Sequence, residues 1–251
     1  MKPLEYHRPK SMEEALPLLR HGSPLAGGTW LTPRRARLDR VVDLQDLDLD
    51  GMRVEAAHVI VGAGIKLQTL VEIGDPIPGA LAMACRLEAG LNLRNMASLA
   101  GTLMTADGRS PLATVLLALG ATAILESGAA RLGIDELLDL PGRDLSGRLI
   151  VRFLLPRPAW LAYEQVARSP VDRPMVCAAA CGDGKGAMRL SLGGFGPRPI
   201  QVPIERADPG KAAKAAATAY RQAGDAWAGA DYRSEVAGIL ARRVAGQGGR
   251  R

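Results

Sequence analysis

Two short segments of the chain combine small residues with a hydroxyl: Leu25-Ala26-Gly27-Gly28-Thr29 and Ser98-Leu99-Ala100-Gly101-Thr102. Each ends in the same way, Ala-Gly-Gly-Thr in the first and Ala-Gly-Thr in the second. Side chains without bulk let successive backbone N–H groups come close to an anion, and a threonine hydroxyl adds a further donor. Taken singly, either segment reads as a turn that needs positive φ. Taken together and facing each other, they form a cradle for a pyrophosphate.

Other sites fall away on inspection. Gly62-Ala63-Gly64 has Leu67 where a dinucleotide fingerprint needs its third glycine. In Gly182-Asp183-Gly184-Lys185-Gly186, glycine follows the lysine where Ser or Thr must reach magnesium, so a hairpin turn is expected. His7, His21 and His58 are isolated, and no Gly-x-Ser-x-Gly elbow occurs. Cys177 and Cys181 lack a neighbouring His or Cys to complete a metal site, and with Cys85 they read as reduced, buried packing residues. No metal site is expected. With no nucleophile beside a recognisable base, any chemistry belongs to a bound cofactor.

The net charge of +6 raises the question of nucleic acid, but the basic residues are dispersed among 26 acids. The densest basic group, Arg34, Arg35, Arg37 and Arg40, has no interleaved aromatics for stacking bases, so no nucleic-acid partner is expected. No apolar run reaches the roughly 18 residues a membrane span needs, and a cytoplasmic location is the expectation.

The elements that must position the two segments follow from periodicity. Residues 11–20 give a helix capped by Ser11 and shortened by Pro17; with Leu25-Ala26 and a strand at Arg40–Leu44 they form a small βαβ unit, the double glycine at its turn. A second lobe begins with the strand His58–Val61, followed by helices at 67–73, 79–89 and 111–119, the last closed by Gly120. The second small-residue segment is read as a loop between the latter two helices. Strands are expected at 121–126 and 149–155, and Pro156-Arg157-Pro158 marks a boundary. Beyond it come an antiparallel meander (161–166, 175–180, 188–192) and two helices (211–222 and 231–244). Residues 245–251 read as disordered.

On these segments the chain resembles the FAD-binding medium subunit of molybdenum hydroxylases of the xanthine dehydrogenase and carbon monoxide dehydrogenase type. The resemblance runs in order through Pro9-Lys10-Ser11-Met12-Glu13-Glu14-Ala15, Leu25 to Thr29, Val41-Val42-Asp43-Leu44, Val61-Gly62-Ala63, Leu93 to Leu103 and Leu116 to Ala121. It continues in Leu192-Gly193-Gly194-Phe195-Gly196-Pro197-Arg198-Pro199, Asp231-Tyr232-Arg233 and Leu240-Ala241-Arg242-Arg243. It implies an α+β fold: a two-lobed FAD-binding domain of the PCMH, vanillyl-alcohol-oxidase-like type at 1–155 (lobes about 1–52 and 53–155), then a smaller C-terminal domain of antiparallel sheet plus helices at 156–251.

The resemblance also implies FAD as cofactor, a molybdopterin-binding large subunit and a [2Fe-2S] small subunit as partners, and electron transfer from iron–sulfur clusters through the flavin to an acceptor. Carried over by position, the cofactor-binding residues are Leu25, Ala26, Gly27, Gly28, Thr29 and Trp30, then Ser98, Ala100, Gly101, Thr102 and Asp107. Three positions depart from the family pattern. Trp30 is bulky beside the phosphate site, Ala100 stands where glycine is normal, and Pro111 replaces a second acidic residue. They leave a second reading, a degenerate paralogue that keeps the fold and subunit contacts but binds little FAD.

Overall fold

The computed structural model describes residues 4–126, 130–141, 144–145, 147–204 and 206–249. Its first lobe contains β1 (Glu5–His7), α1 (Met12–Leu19), β2 (Ser23–Leu25) and β3 (Arg40–Asp43). The Ser11 side chain accepts from Glu14 N–H and starts α1 where expected. The strands form a parallel sheet in the order β1-β3-β2, with Ala15, Leu19 and Val42 packed beneath it. Gly27 and Gly28 therefore leave the C-terminal end of an edge strand, the end at which parallel sheets bind ligands.

The second lobe is built on β4 (Met52–Val54), β5 (His58–Gly62), α2 (Leu67–Glu72), α3 (Gly79–Glu88), α4 (Leu91–Arg94), α5 (Leu99–Thr105), α6 (Pro111–Leu119), β6 (Thr122–Leu125), β7 (Arg131–Gly133), α7 (Ile134–Asp139) and β8 (Ile150–Pro156). Its antiparallel sheet runs β4-β5-β8-β6-β7, so the last strand made is the central one. Phe153 pairs with Val61 on one side and Ala123 on the other.

One expectation gives way to the structure. The second small-residue segment is the first turn of α5, whose cap is Ser98. Gly62 and Gly64 serve a chain crossing, since Gly62 N–H donates to Gly51 O at 2.7 Å and Gly64 N–H to Leu49 O at 2.7 Å. A Cβ on Gly62 would lie 2.7 Å from the Leu49 carbonyl carbon, so the close approach requires glycine there.

The C-terminal part comprises β9 (Trp160–Val166), β10 (Val176–Gly182), β11 (Met188–Gly193), β12 (Ile200–Val202), α8 (Pro209–Ala219) and α9 (Ala230–Gly246). The antiparallel order is β12-β11-β10-β9, and Asp183 to Ala187 turn the β10–β11 hairpin. Every residue of β10 is buried. Cys177, Ala179 and Cys181 face the core that contains α6, while Val176, Ala178 and Ala180 face α8 and α9. A strand covered on both faces reads as an unbroken apolar run, which is why Val-Cys-Ala-Ala-Ala-Cys shows no alternation.

Helix α6 is buried on all sides and packs against β8, β10 and β11, joining the two sheets. Pro111 is its first residue, Ser110 its cap, and Gly120 ends it at φ +70°. The tail read as disordered is helical through Gly246 and a 3-10 turn to Gly249, with residues 250–251 outside the described residues. Gly248 explains the difference, because a Cβ there would lie 2.5 Å from the Trp160 indole. Long-range packing, invisible in composition, holds that end.

Candidate functional site

A cleft of about 960 Å³ opens between the two lobes. Its volume lies at the upper end of the roughly 300–1,000 Å³ typical of ligand and cofactor sites. Ala26 to Leu31 form one wall, and Ser98, Ala100 and Gly101 another. Leu138, Leu140, Leu145, Leu149 and Ile150 supply an apolar surface, and Lys66, Arg148 and Arg198 bring positive charge.

The two walls touch through backbone. A Cβ on Gly27 would overlap the Met96 carbonyl oxygen and sit 2.6 Å from its carbon, so only glycine permits this approach. Gly28 follows at φ +68°, a left-handed turn that sends the chain along the cleft. The consequence lies in the amides. Gly28 O accepts from Thr32 N–H at 2.9 Å, but among the described residues the N–H groups of Ala26, Gly27, Gly28, Thr29, Trp30 and Leu31 have no protein acceptor. A run of free donors at a cleft wall is a nest for an anion.

The second wall behaves differently. Leu99 N–H donates to Ile65 O at 2.9 Å, Ala100 N–H to Ala63 O at 3.0 Å and Thr102 N–H to Ser98 O at 2.9 Å. Gly101 N–H is capped by Ser98 Oγ at 3.2 Å, and the Thr102 hydroxyl donates to Ser98 O at 2.8 Å. These donors are consumed inside the fold, so this segment contributes a small-residue surface rather than a second amide nest.

Of the residues expected at the site, Ala26, Gly27, Gly28, Thr29, Trp30, Ser98, Ala100 and Gly101 line the cleft, while Leu25, Thr102 and Asp107 do not. Leu25 belongs to β2 and pairs with Asp43. Asp107 is held by an ion pair to Arg173 and by Arg109 N–H at 2.8 Å. Burial raises the Asp107 carboxyl, but the Arg173 hydrogen bond and the Arg109 amide outweigh it and hold the group below the usual range. The partner is 66 residues away in sequence, and no local signal announces it.

The three departures are accommodated. The Arg34 guanidinium lies 4.1 Å from the Trp30 ring centroid and Arg34 Nη1 donates to Trp30 O at 2.8 Å, holding the indole at the rim, 46% exposed. Ala100 sits in a right-handed helix, where its methyl group costs nothing. Pro111 opens α6 outside the cleft.

Sequence reasoning missed Lys66, Thr105, the apolar wall of Leu138, Leu140, Leu145, Leu149 and Ile150, and Arg198. Arg198 reaches the cleft from the segment before β12 and is ion-paired with Asp139. The three cysteines are free and buried, and burial pushes Cys177 and Cys181 up to about 11. Among the described residues no group of three His, Cys, Asp or Glu side chains is placed to hold a metal ion. None of the helices described is long and apolar enough to cross a membrane.

With this geometry in place, similarity to known proteins is informative. The model of the FAD binding domain in molybdopterin dehydrogenase matches residues 2–158. The carbon monoxide dehydrogenase medium chain of Afipia carboxidovorans is 27% identical over 96% of this chain and 94% of its own length. The 6-hydroxypseudooxynicotine dehydrogenase complex subunit alpha of Paenarthrobacter nicotinovorans is 31% identical over 72% of this chain and 68% of its own. Among solved structures, Cu,Mo-CO dehydrogenase superposes with a TM-score of 0.80 at 26% identity, covering 97% of this chain and 96% of that one. Quinoline 2-oxidoreductase from Pseudomonas putida 86 gives 0.81 at 25% identity, covering 98% and 96%.

Proposed function

We propose, since the chain belongs to the family of FAD-binding domains of molybdopterin dehydrogenases, that it holds FAD in the interlobe cleft and carries electrons within a multi-subunit molybdenum hydroxylase. The donors in this reading are iron–sulfur clusters of a [2Fe-2S] small subunit, fed by a molybdopterin-binding large subunit, and an external acceptor takes the electrons onward. Bound FAD supplies reversible electron uptake and release, which no side chain of this protein provides.

The run of free amides from Ala26 to Leu31 carries the proposal, since it pairs an anion nest with a deep, partly apolar cleft. FAD has that chemistry, a diphosphate between two flat ring systems. In this reading Gly27 and Gly28 shape the nest, Thr29 adds a hydroxyl, and Ser98, Ala100 and Gly101 close the opposite wall. Leu25, Thr102 and Asp107 act one layer back: Leu25 fixes the strand, Thr102 the first turn of α5, and Asp107 the loop joining it to α6. The division into a cofactor domain at 1–155 and a C-terminal domain at 156–251 is supported by the family match, which stops at residue 158.

The test is reconstitution of the full chain with excess FAD, followed by its visible spectrum and flavin-to-protein ratio. One tightly held flavin is the expected result, and with the partner subunits present its absorption should bleach when the organic substrate is added. A chain that stays colourless overturns the reading and leaves the scaffold role.

A further inference from the structure

Lys66 occupies a position for which it is locally the wrong residue. It is the N-cap of α2, with φ −78° and ψ 145°, yet its side chain makes no capping bond. Ser, Thr, Asp or Asn at such a position stabilises a protein by about 1 kcal/mol, and a cation at a helix start is itself unfavourable. Natural sequences break local rules chiefly where a site demands it.

The backbone places Lys66 beside the amide nest. Ile65 to Leu67 runs antiparallel to Ala97 to Leu99, with Leu67 N–H donating to Ala97 O at 3.0 Å and a bridge pairing Lys66 with Ser98. Gly27 abuts Met96 and Ala97, the residues just before Ser98. The nest, Ser98 and Lys66 therefore follow one another around one end of the cleft, which both Ser98 and Lys66 line.

The other cations of the cleft are less well placed for the nest: both come from the opposite, apolar wall or from the segment before β12. Arg198 is ion-paired with Asp139, and Arg148 donates Nε to Leu145 O at 3.2 Å. Among the described residues no carboxylate lies within 4 Å of the Lys66 amine. The α5 side offers no free amide in its first turn, so a dianion seated on the nest lacks counter-charge from that wall.

We propose that the Lys66 amine is the counter-cation for the cofactor's diphosphate, taking the place of the donors that α5 consumes internally. The inference rests on FAD binding in this cleft. It is a specificity device as well, because a point charge beside the nest favours ligands that carry phosphate over the same rings without it.

The experiment compares the full chain, freed of flavin, as wild type, Lys66→Met and Lys66→Arg, titrated with FAD, ADP and riboflavin. Lys66→Met should weaken FAD and ADP about 10- to 100-fold, the loss expected for one charge-assisted bond, and leave riboflavin unchanged. Its FAD affinity should fall less steeply with salt than the wild type's. Lys66→Arg should restore most of the affinity. FAD binding by Lys66→Met equal to wild type, or an equal loss for FAD and riboflavin, overturns the assignment of Lys66 alone. Wild-type protein that binds neither FAD nor ADP overturns the cleft assignment beneath it as well.

Discussion

Replacing Gly27 by alanine tests the architecture of the site with a single methyl group. The new Cβ would stand 2.6 Å from the Met96 carbonyl carbon, 3.1 Å from Ala97 Cα and in overlap with the Met96 oxygen. Carbon atoms settle at about 3.5–4.0 Å, so the two walls must part by about 1 Å. Both neighbours are backbone, and neither has a rotamer to yield. Overpacking of this kind costs about 1–3 kcal/mol, which in a chain of this size lowers Tm by roughly 3 to 10 °C. The larger effect falls on the cofactor. Two charge-assisted bonds from the nest at about 1.5 kcal/mol each are drawn out of reach, a loss of about 3 kcal/mol or roughly 150-fold in Kd. Flavin fluorescence titration gives Kd, and a thermal melt without flavin gives the stability change. Gly79→Ala is the control, since a Cβ there meets nothing within 4 Å at the first residue of α3; Kd should stay at the wild-type value and Tm should not fall. Stoichiometric FAD with an unchanged Kd in Gly27→Ala would refute the claim that contact between the walls shapes the binding site.

Two further outcomes follow from the same geometry. Trp30, one of three tryptophans, lines the cleft with Arg34 on its ring, so FAD binding should quench tryptophan emission and Trp30→Phe should remove most of that quench while shifting Kd less than about threefold; a quench unchanged in the variant places the flavin elsewhere. Fully buried Arg233 donates to Met175 O at 3.0 Å, Gly194 O at 2.5 Å and Asp225 Oδ1 at 2.6 Å, so Asp225→Asn should cost about 2 kcal/mol and lower Tm by roughly 4 to 8 °C. Burial raises the Asp225 carboxyl, but the N–H groups of Trp227 and Ala228 and the Arg233 cation outweigh it and hold it low; its contribution is therefore present above the ordinary carboxylate range and lost as pH falls through the depressed value, and thermal melts of the two proteins should converge below about pH 4.

The sequence carries those parts of the fold whose signals are local. Ser11, Ser110 and Gly120 bound their helices as capping chemistry requires, and the apolar run at 176–181 marks the doubly covered strand. Strands such as β1, β4 and β12 escape notice because three residues, largely exposed in β1 and β4, hold no period. The segment from Ser98 to Thr102 reads as a loop because Gly and Thr are poor helix formers, although Ser98 was a legible cap. At the site, small residues next to a hydroxyl were enough to find both walls. Which amides remain free was not legible, because it depends on acceptors at Ala63 and Ile65, brought in by a separate strand-to-helix turn. Asp107 is the converse case, a residue of suitable type claimed by Arg173 from a distant loop.

The placement of β8 at the centre of its sheet also has a meaning in time. β5 ends at residue 62 and β6 at residue 125, and neither has its shared neighbour until residues 150–156 leave the ribosome. Until then β5 and β6 each lack a pairing partner on one edge, and pairing across so long a stretch of chain is slow. Leu149, just before that strand, and Ile150, its first residue, also belong to the cleft wall. The cleft is thus completed only by the event that closes the sheet, and under the function proposed above a flavin can find its full site only after that closure.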